Sequence, residues 1–216
     1  MVHLQETDLL FTPAELEFFA EDEEVEIVPN FQLQDLVNDD MLNIAAGTYG
    51  PFRPSSITQV PLWMALMLHK RRKCRINPPA WMAAAQLEAV LEGERNRPEK
   101  FQALPFHYQE VAHLLFTHAK DSFGGDLVQV QDLVAEVARV RRNKIQAGLR
   151  ELQSALSAVK LLDLGYMEVN QIRPFFKASL DRFFRLLPLD PERQEAAEAE
   201  PTPGQRPPPR QLRRGT

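Results

Sequence analysis

One cysteine, Cys74, stands in 216 residues. That count excludes an internal disulfide framework and any zinc site built on several cysteines, and a reducing compartment is the natural expectation. Glycine is scarce, nine in all, and scattered, so no Gly-rich phosphate loop can be drawn. The HExxH, GxSxG and paired CxxC patterns are absent too. No stretch approaches the roughly 18 apolar residues of a membrane span. The opening MVHLQETDLLF lacks the basic start and cleavage pattern of a secretory signal. One Glu-x-x-His step, Glu110 to His113, occurs, but a bundle metal site needs a second such step and two more carboxylates. These absences argue against an enzyme and against a bound cofactor or metal.

Bases are almost missing from the first 60 residues, which carry twelve acids against Arg53 alone. Residues 61–189 reverse the balance with nineteen bases and thirteen acids, and the remainder holds five of each. An acidic module beside a mildly basic one is the reading, with charged partners open to either.

In the acidic part, Thr12-Pro13-Ala14-Glu15 starts a short helix by a capping box, with Leu16, Phe19 and Ala20 on one face and an end near Asp22. Seven acids between Glu15 and Glu26 read as a solvated face, or else as a surface for a basic partner. Glu24 to Val28 alternates like a half-buried strand, Met41 to Ile44 is a weaker one, Gly47 to Phe52 is turn-like, and Ile57 to Val60 is extended. This piece is small for independent stability and leans on the helices or on another chain.

From Leu62 the period becomes helical. A first helix runs to about Lys73, a second from Pro79 to about Asn96, a third from Pro105 to about Lys120. Phe123-Gly124-Gly125 breaks the chain and Asp126 caps a long fourth helix to about Ala158. Its stripe includes Val134, Val137, Ile145, Leu152, Leu156 and Val159, with Arg141 interrupting it. Such a helix extends some 45 Å, more than a compact domain needs. A last helix from near Asn170 carries Phe175, Phe176, Leu180, Phe183 and Phe184, a stripe that reads as core or as subunit interface. Residues 188–216, with seven prolines and no aromatics, read as a disordered tail.

Two basic runs stand out, Lys70-Arg71-Arg72-Lys73 with Arg75, and Arg139 to Lys144. They are the candidate nucleic-acid surfaces, set against capping of helix ends, ion pairing or an acidic partner. Cys74 beside Arg72, Lys73 and Arg75 is either a thiol of lowered pKa or a structural cysteine.

The stretch Ile57 to Met82, ITQVPLWMALMLHKRRKCRINPPAWM, follows VEIVPNF at 25–31 and GTYGPF at 47–52. LLDL at 161–164 and MEVN at 167–170 come before the last helix. Together these pieces resemble the second Psf subunit family of the GINS complex, the four-subunit eukaryotic DNA replication factor, over about Phe11 to Leu187. The resemblance implies an α+β chain, a small β-rich domain at 1–60 followed by a helical domain at 61–188; residues 1–10 and the tail at 189–216 lie outside its pattern. It also implies a nuclear, non-catalytic scaffold in a heterotetramer with three other GINS subunits. Through that complex it would join the MCM helicase ring to its RecJ-like cell-division-cycle partner, touching DNA indirectly or weakly. Trp63 and Trp81, with the two stripes above, are then candidates for core or subunit interface, and Lys70 to Lys73 with Arg75 for a partner surface. The alternative is a basic helical module that binds DNA itself.

Overall fold

The computed structural model describes residues 10–33, 41–44, 47–152 and 162–186, with side chains at 151–152 and 183–186 left aside. Leu156, Val159, Leu161 and the proposed tail lie outside the described residues, as do the side chains of Leu152, Phe183 and Phe184.

The amino-terminal helix α1, Pro13–Ala20, opens on the expected capping box. The Glu15 carboxylate accepts from the Thr12 amide at 2.7 Å, and Thr12 Oγ1 accepts from the Glu15 amide at 3.3 Å. Leu16 and Ala20 are fully buried, whereas Phe19 is 44% exposed.

Strand β1, Glu24–Pro29, buries Val25 and Ile27 and turns Glu24 and Glu26 outward, as its alternation predicts. A two-stranded hairpin follows, β2 at Leu42–Ile44 and β3 at Gly47–Tyr49, so residues read as a turn are in part a strand. Strand β4, Thr58–Pro61, leads into α2, Leu62–Lys70. The sequence extends this helix to Lys73, but it ends three residues earlier and Cys74–Asn77 forms β5. The order β4–β1–β5 is antiparallel throughout, with Val25 opposite Val60 and Ile27 opposite Ile76. Pro61 and Pro29 sit at strand ends, where a missing N–H costs no interior ladder bond. The sheet therefore takes a strand from beyond residue 60.

Helix α2 has no side-chain cap. Its first amides instead donate to the chain before β1, Leu62 to Glu23 at 2.8 Å and Trp63 to Glu21 at 3.0 Å. Val60 and Leu62 are buried, so the Val60–Pro61 corner is packed rather than a free hinge.

The next two helices are shorter than expected. A 3-10 turn at Ala80–Met82 precedes α3, Ala84–Asn96, because Ala83 is extended at ψ 135°. Helix α4 covers Tyr108–His118, and a 3-10 stretch with Gly124 at φ 58° leads into α5, Leu127–Leu152. Helix α6, Tyr166–Leu186, starts four residues before Asn170. One core joins Val25, Ile27, Val60 and Ile76 of the sheet to Leu87, Val111, Leu115, Val130 and Val134 of the helices. Each such side chain contributes about 1.5–3 kcal/mol on burial, and the small sheet depends on the helices for it. The chain divides into two compact units, one through Pro174 and one from Phe175. Within the second, the rings of Phe175 and Phe176 meet edge to face at 5.7 Å and Leu180 is 52% exposed.

Arg141 of α5 has no exposed surface, yet it is fully satisfied. Nε and Nη2 donate to the two Glu168 carboxylate oxygens at 2.7 and 2.9 Å. Nη1 donates to Glu94 at 2.6 Å and to the Gln102 carbonyl at 3.0 Å, and Nη2 also donates to the Asp163 carbonyl. All five guanidinium N–H groups are used. Lys144, one turn on, donates to the other Glu94 oxygen, so two cations meet two carboxylates. The Tyr108 hydroxyl donates to Glu168 at 2.8 Å, and burial pushes its pKa up, keeping it a donor. Burial alone would lower the Arg141 pKa, but the bonds and charge of Glu168 raise it on balance.

Glu110 of α4 is the opposite case. It is 2% exposed and neither carboxylate oxygen has a hydrogen-bond partner. Burial pushes its pKa up to about 7; the nearby amides of Glu110 and Met167 offset part of the rise without reaching good geometry, and Glu168 and Glu17 add to it.

Arg141→Leu takes the guanidinium from two buried carboxylates and should cost roughly 3–5 kcal/mol in urea unfolding. Arg141→Lys should recover little of it, because three donors cannot replace a five-donor fork. A loss under about 1 kcal/mol would show that the cluster does not hold the helices together. For Glu110 the folded pKa lies above the ordinary 4.5, so its contribution is complete below that pH and is lost as pH rises to about 7. Glu110→Gln should remove this decline, raising stability at pH 8 by on the order of 2–3 kcal/mol. Urea midpoints measured across pH 4 to 8 check it.

Candidate functional site

Three surface features are candidates for partner contact. The first is the turn between α2 and β5. Arg72 takes a left-handed conformation at φ 56°, and the Asn30 side chain donates to its carbonyl at 2.8 Å while the Asn30 amide donates to Lys73 at 2.9 Å. The backbone is thus held by β1 while Lys70, Arg71, Arg72, Lys73 and Arg75 are all exposed. Among the described residues none of the five makes an ion pair. Lys70, Arg72 and Arg75 border an open depression of about 930 Å³ that also includes His69, Asp121 and Asn30. His69 Nε2 lies 3.0 Å from Asp121, which fixes the ring at the depression wall.

Cys74 is buried beneath this turn, its thiol directed at the Ala65 carbonyl at 3.7 Å. Burial pushes the thiol up to about 11, so the flanking bases do not activate it, and the structural reading holds.

The second basic run is not a surface. Arg141 is buried and Lys144 is engaged with Glu94. Arg139 pairs with Glu136 at 2.6 Å, and its hydrogen bonds, with those of Arg95, hold the Glu136 carboxyl down to about 2. Only Arg142 is left of a nucleic-acid patch, because the helical period turns the other cations to partners.

The second feature is an aromatic surface where α1 meets the start of α6. Phe11 and Phe19 pack at 5.7 Å, Phe19 and Tyr166 at 5.9 Å, and Tyr166 and Phe106 at 5.2 Å. Phe18 is 69% exposed and Phe106 47% exposed. His107 closes the group with its ring 5.0 Å from Tyr166, and burial lowers its pKa against the pull of Glu23. Asn170 ties Phe11 down, exchanging two hydrogen bonds of 3.0 Å with its backbone. Third, a pocket of about 280 Å³ lies between α1 and α4, lined by Pro13, Glu17, Gln109, Glu110, His113 and Met167.

Of the residues singled out in the sequence, Val134 and Val137 are core, and Trp63, Trp81 and Ile145 are half-buried. The Trp81 ring meets Tyr108 edge-on at 6.4 Å. Phe175 and Phe176 are half-buried. Sequence reasoning passed over Phe18 and Glu94, and met Glu110 only in a Glu-x-x-His step and Glu168 only within MEVN. For the three acids a signal existed: each falls on an apolar face of its helix, as Glu94 does after Leu87 and Leu91. Among the described residues no group of three or more His, Cys, Asp or Glu side chains assembles a metal site, and no helix is long and apolar enough to cross a membrane.

Comparison with known proteins places this arrangement. The PSF2 N-terminal domain family matches residues 12–77, ending on β5, and the GINS complex protein helical bundle domain family matches residues 81–186. The chain is 38% identical over 175 residues to the DNA replication complex GINS protein PSF2 of Xenopus laevis, covering 80% of this chain and 90% of that one. It is 35% identical over 176 residues to the Homo sapiens protein of that name, with the same coverage. The Schizosaccharomyces pombe protein is 32% identical over 188 residues, 87% of this chain and 97% of its own. With both domains in order and close relatives along nearly their whole length, the chain belongs to the PSF2 family of subunits of the GINS DNA replication complex.

Proposed function

We propose that this chain is a non-catalytic scaffold subunit of a nuclear GINS heterotetramer. Through that complex it joins the MCM helicase ring to its RecJ-like cell-division-cycle partner and so activates unwinding in replication. The observation that carries the reading is the family membership over both domains. The exposed aromatic surface supports it, since aromatics are enriched in subunit interfaces. In this reading the basic turn and the half-buried Phe175 and Phe176 serve protein contacts. Co-expression with the three other GINS subunits tests it: the expected result is one stoichiometric complex that also retains the helicase ring. A chain that stays monomeric beside them overturns the reading. Removal of residues 190–216 should leave that complex intact.

Direct DNA binding is a second reading, favoured by the five unpaired cations of the α2–β5 turn. Each phosphate contact adds about 0.9 to the slope of log affinity against log salt. Arg71→Gln/Arg72→Gln/Arg75→Gln should flatten that slope by nearly three units if the turn touches phosphates. An unchanged slope in the assembled complex rejects this second reading.

A further inference from the structure

Glu110 needs a donor that the described chain does not supply. Burying a carboxylate without a partner is costly, and both oxygens of Glu110 are in that position. Glu110 is also one of the residues that line the pocket between α1 and α4. That pocket has two chemical parts. Pro13 and Met167 are apolar, while Glu17 and Glu110 are acidic. A pocket lined by both apolar side chains and carboxylates suits a long side chain with a cationic head, since lysine and arginine bury their stems and keep the charge at the tip. A metal ion fits less well, because among the described residues no three ligating side chains converge. Nucleic acid is disfavoured by the sign of the surroundings, with Glu15, Glu17, Glu21, Asp22 and Glu23 along and just beyond α1.

Apolar surface lies next in sequence to two of the lining residues. Glu17 is followed by Phe18, the most exposed large apolar side chain of the described residues at 69%, and Met167 follows Tyr166 of the aromatic group. Buried charge next to exposed aromatics is the composition of an interface hot spot.

We propose that this pocket receives a lysine or arginine from a basic segment of a neighbouring GINS subunit. Glu110 is its buried counter-charge and Phe18 the apolar seat beside it. The inference rests on the membership in a heterotetramer proposed above. Glu17 and His113, 3.5 Å apart, and Glu168, whose charge acts on Glu110, are the other titratable groups that face the site. Docking of a cation draws Glu110 into its ionised form, so association strengthens as pH rises through about 7, the value to which burial pushes that carboxyl.

The test is a competition between tagged wild-type chain and each full-length variant for a limiting amount of the other three subunits. Glu110→Gln keeps the shape and removes the charge, and should lose by about tenfold or more while its unfolding temperature alone stays the same or rises. Phe18→Ser, at an exposed position, should also lose, by several-fold. The advantage of wild type over Glu110→Gln should shrink as pH falls from 8 to 6. Equal competition by both variants overturns the proposal even if the wild type assembles. Failure of the wild type itself to assemble overturns the heterotetramer reading, and the pocket's partner falls with it. If truncation of residues 188–216 destabilises the wild type but not Glu110→Gln, the cation is one of this chain's own arginines and the partner reading is overturned.

Discussion

The guanidinium of Arg141 sets the constraint on which the helical part depends. It has five donors and no exposed surface, so the fold must bring five acceptors to one point. They come from Glu94 on α3, the Gln102 carbonyl after it, the Asp163 carbonyl and both oxygens of Glu168 on α6. A slip of one residue in α5 turns the side chain by about 100° and takes the guanidinium away from all of them, leaving Glu94 and Glu168 buried without their cation. Such a cluster adds modest net stability compared with apolar packing, because desolvation offsets the attraction. Its effect is selective instead: other registers of α3 against α5 are penalised far more than the native one is favoured. Tyr108 carries the constraint to α4 by donating to Glu168, and α4 in turn packs on α1 and positions the pocket.

What was legible followed from patterns long enough to average over. The alternation of β1, the capping box at Thr12 and the stripe of α5 each rest on several agreeing residues. β5 escaped because it is four residues long and sits inside a cationic run, so that only Cys74 and Ile76 mark its buried side. β3 escaped because its strand is three residues beginning at a glycine. The 3-10 turn at Ala80–Met82 follows from a single extended residue, Ala83, and alanine gives no sign of breaking a helix. The family resemblance carried fold and membership where periodicity stopped.

Arg141 shows a subtler failure. RVRRNK reads as a basic patch when the charges are counted along the chain. Counted around the helix, Arg141 lies four residues after Val137, on the buried stripe, while Arg142 points away. Glu94 and Glu110 bear the same mark on α3 and α4. A charge on an apolar stripe is either paired across the core or available to something outside it. Sequence cannot separate those outcomes, because the partner of Arg141 at Glu168 is 27 residues away and the Glu110 carboxylate has no hydrogen-bond partner among the described residues.

The difference between Glu110 and the basic turn then bears on how contacts at each would behave. The cations of residues 70–75 are exposed, so salt screens them over a Debye length of about 8 Å at physiological strength. They act at a distance, speeding and orienting encounters, and add little to the lifetime of a complex. Glu110 is sheltered from ions and from water, so a cation seated on it is screened far less. It attracts nothing until the pocket is filled, and resists separation afterwards. If both surfaces take partners as proposed, they divide the labour of association: exposed charge governs the approach, and the buried, unpaired carboxylate governs retention.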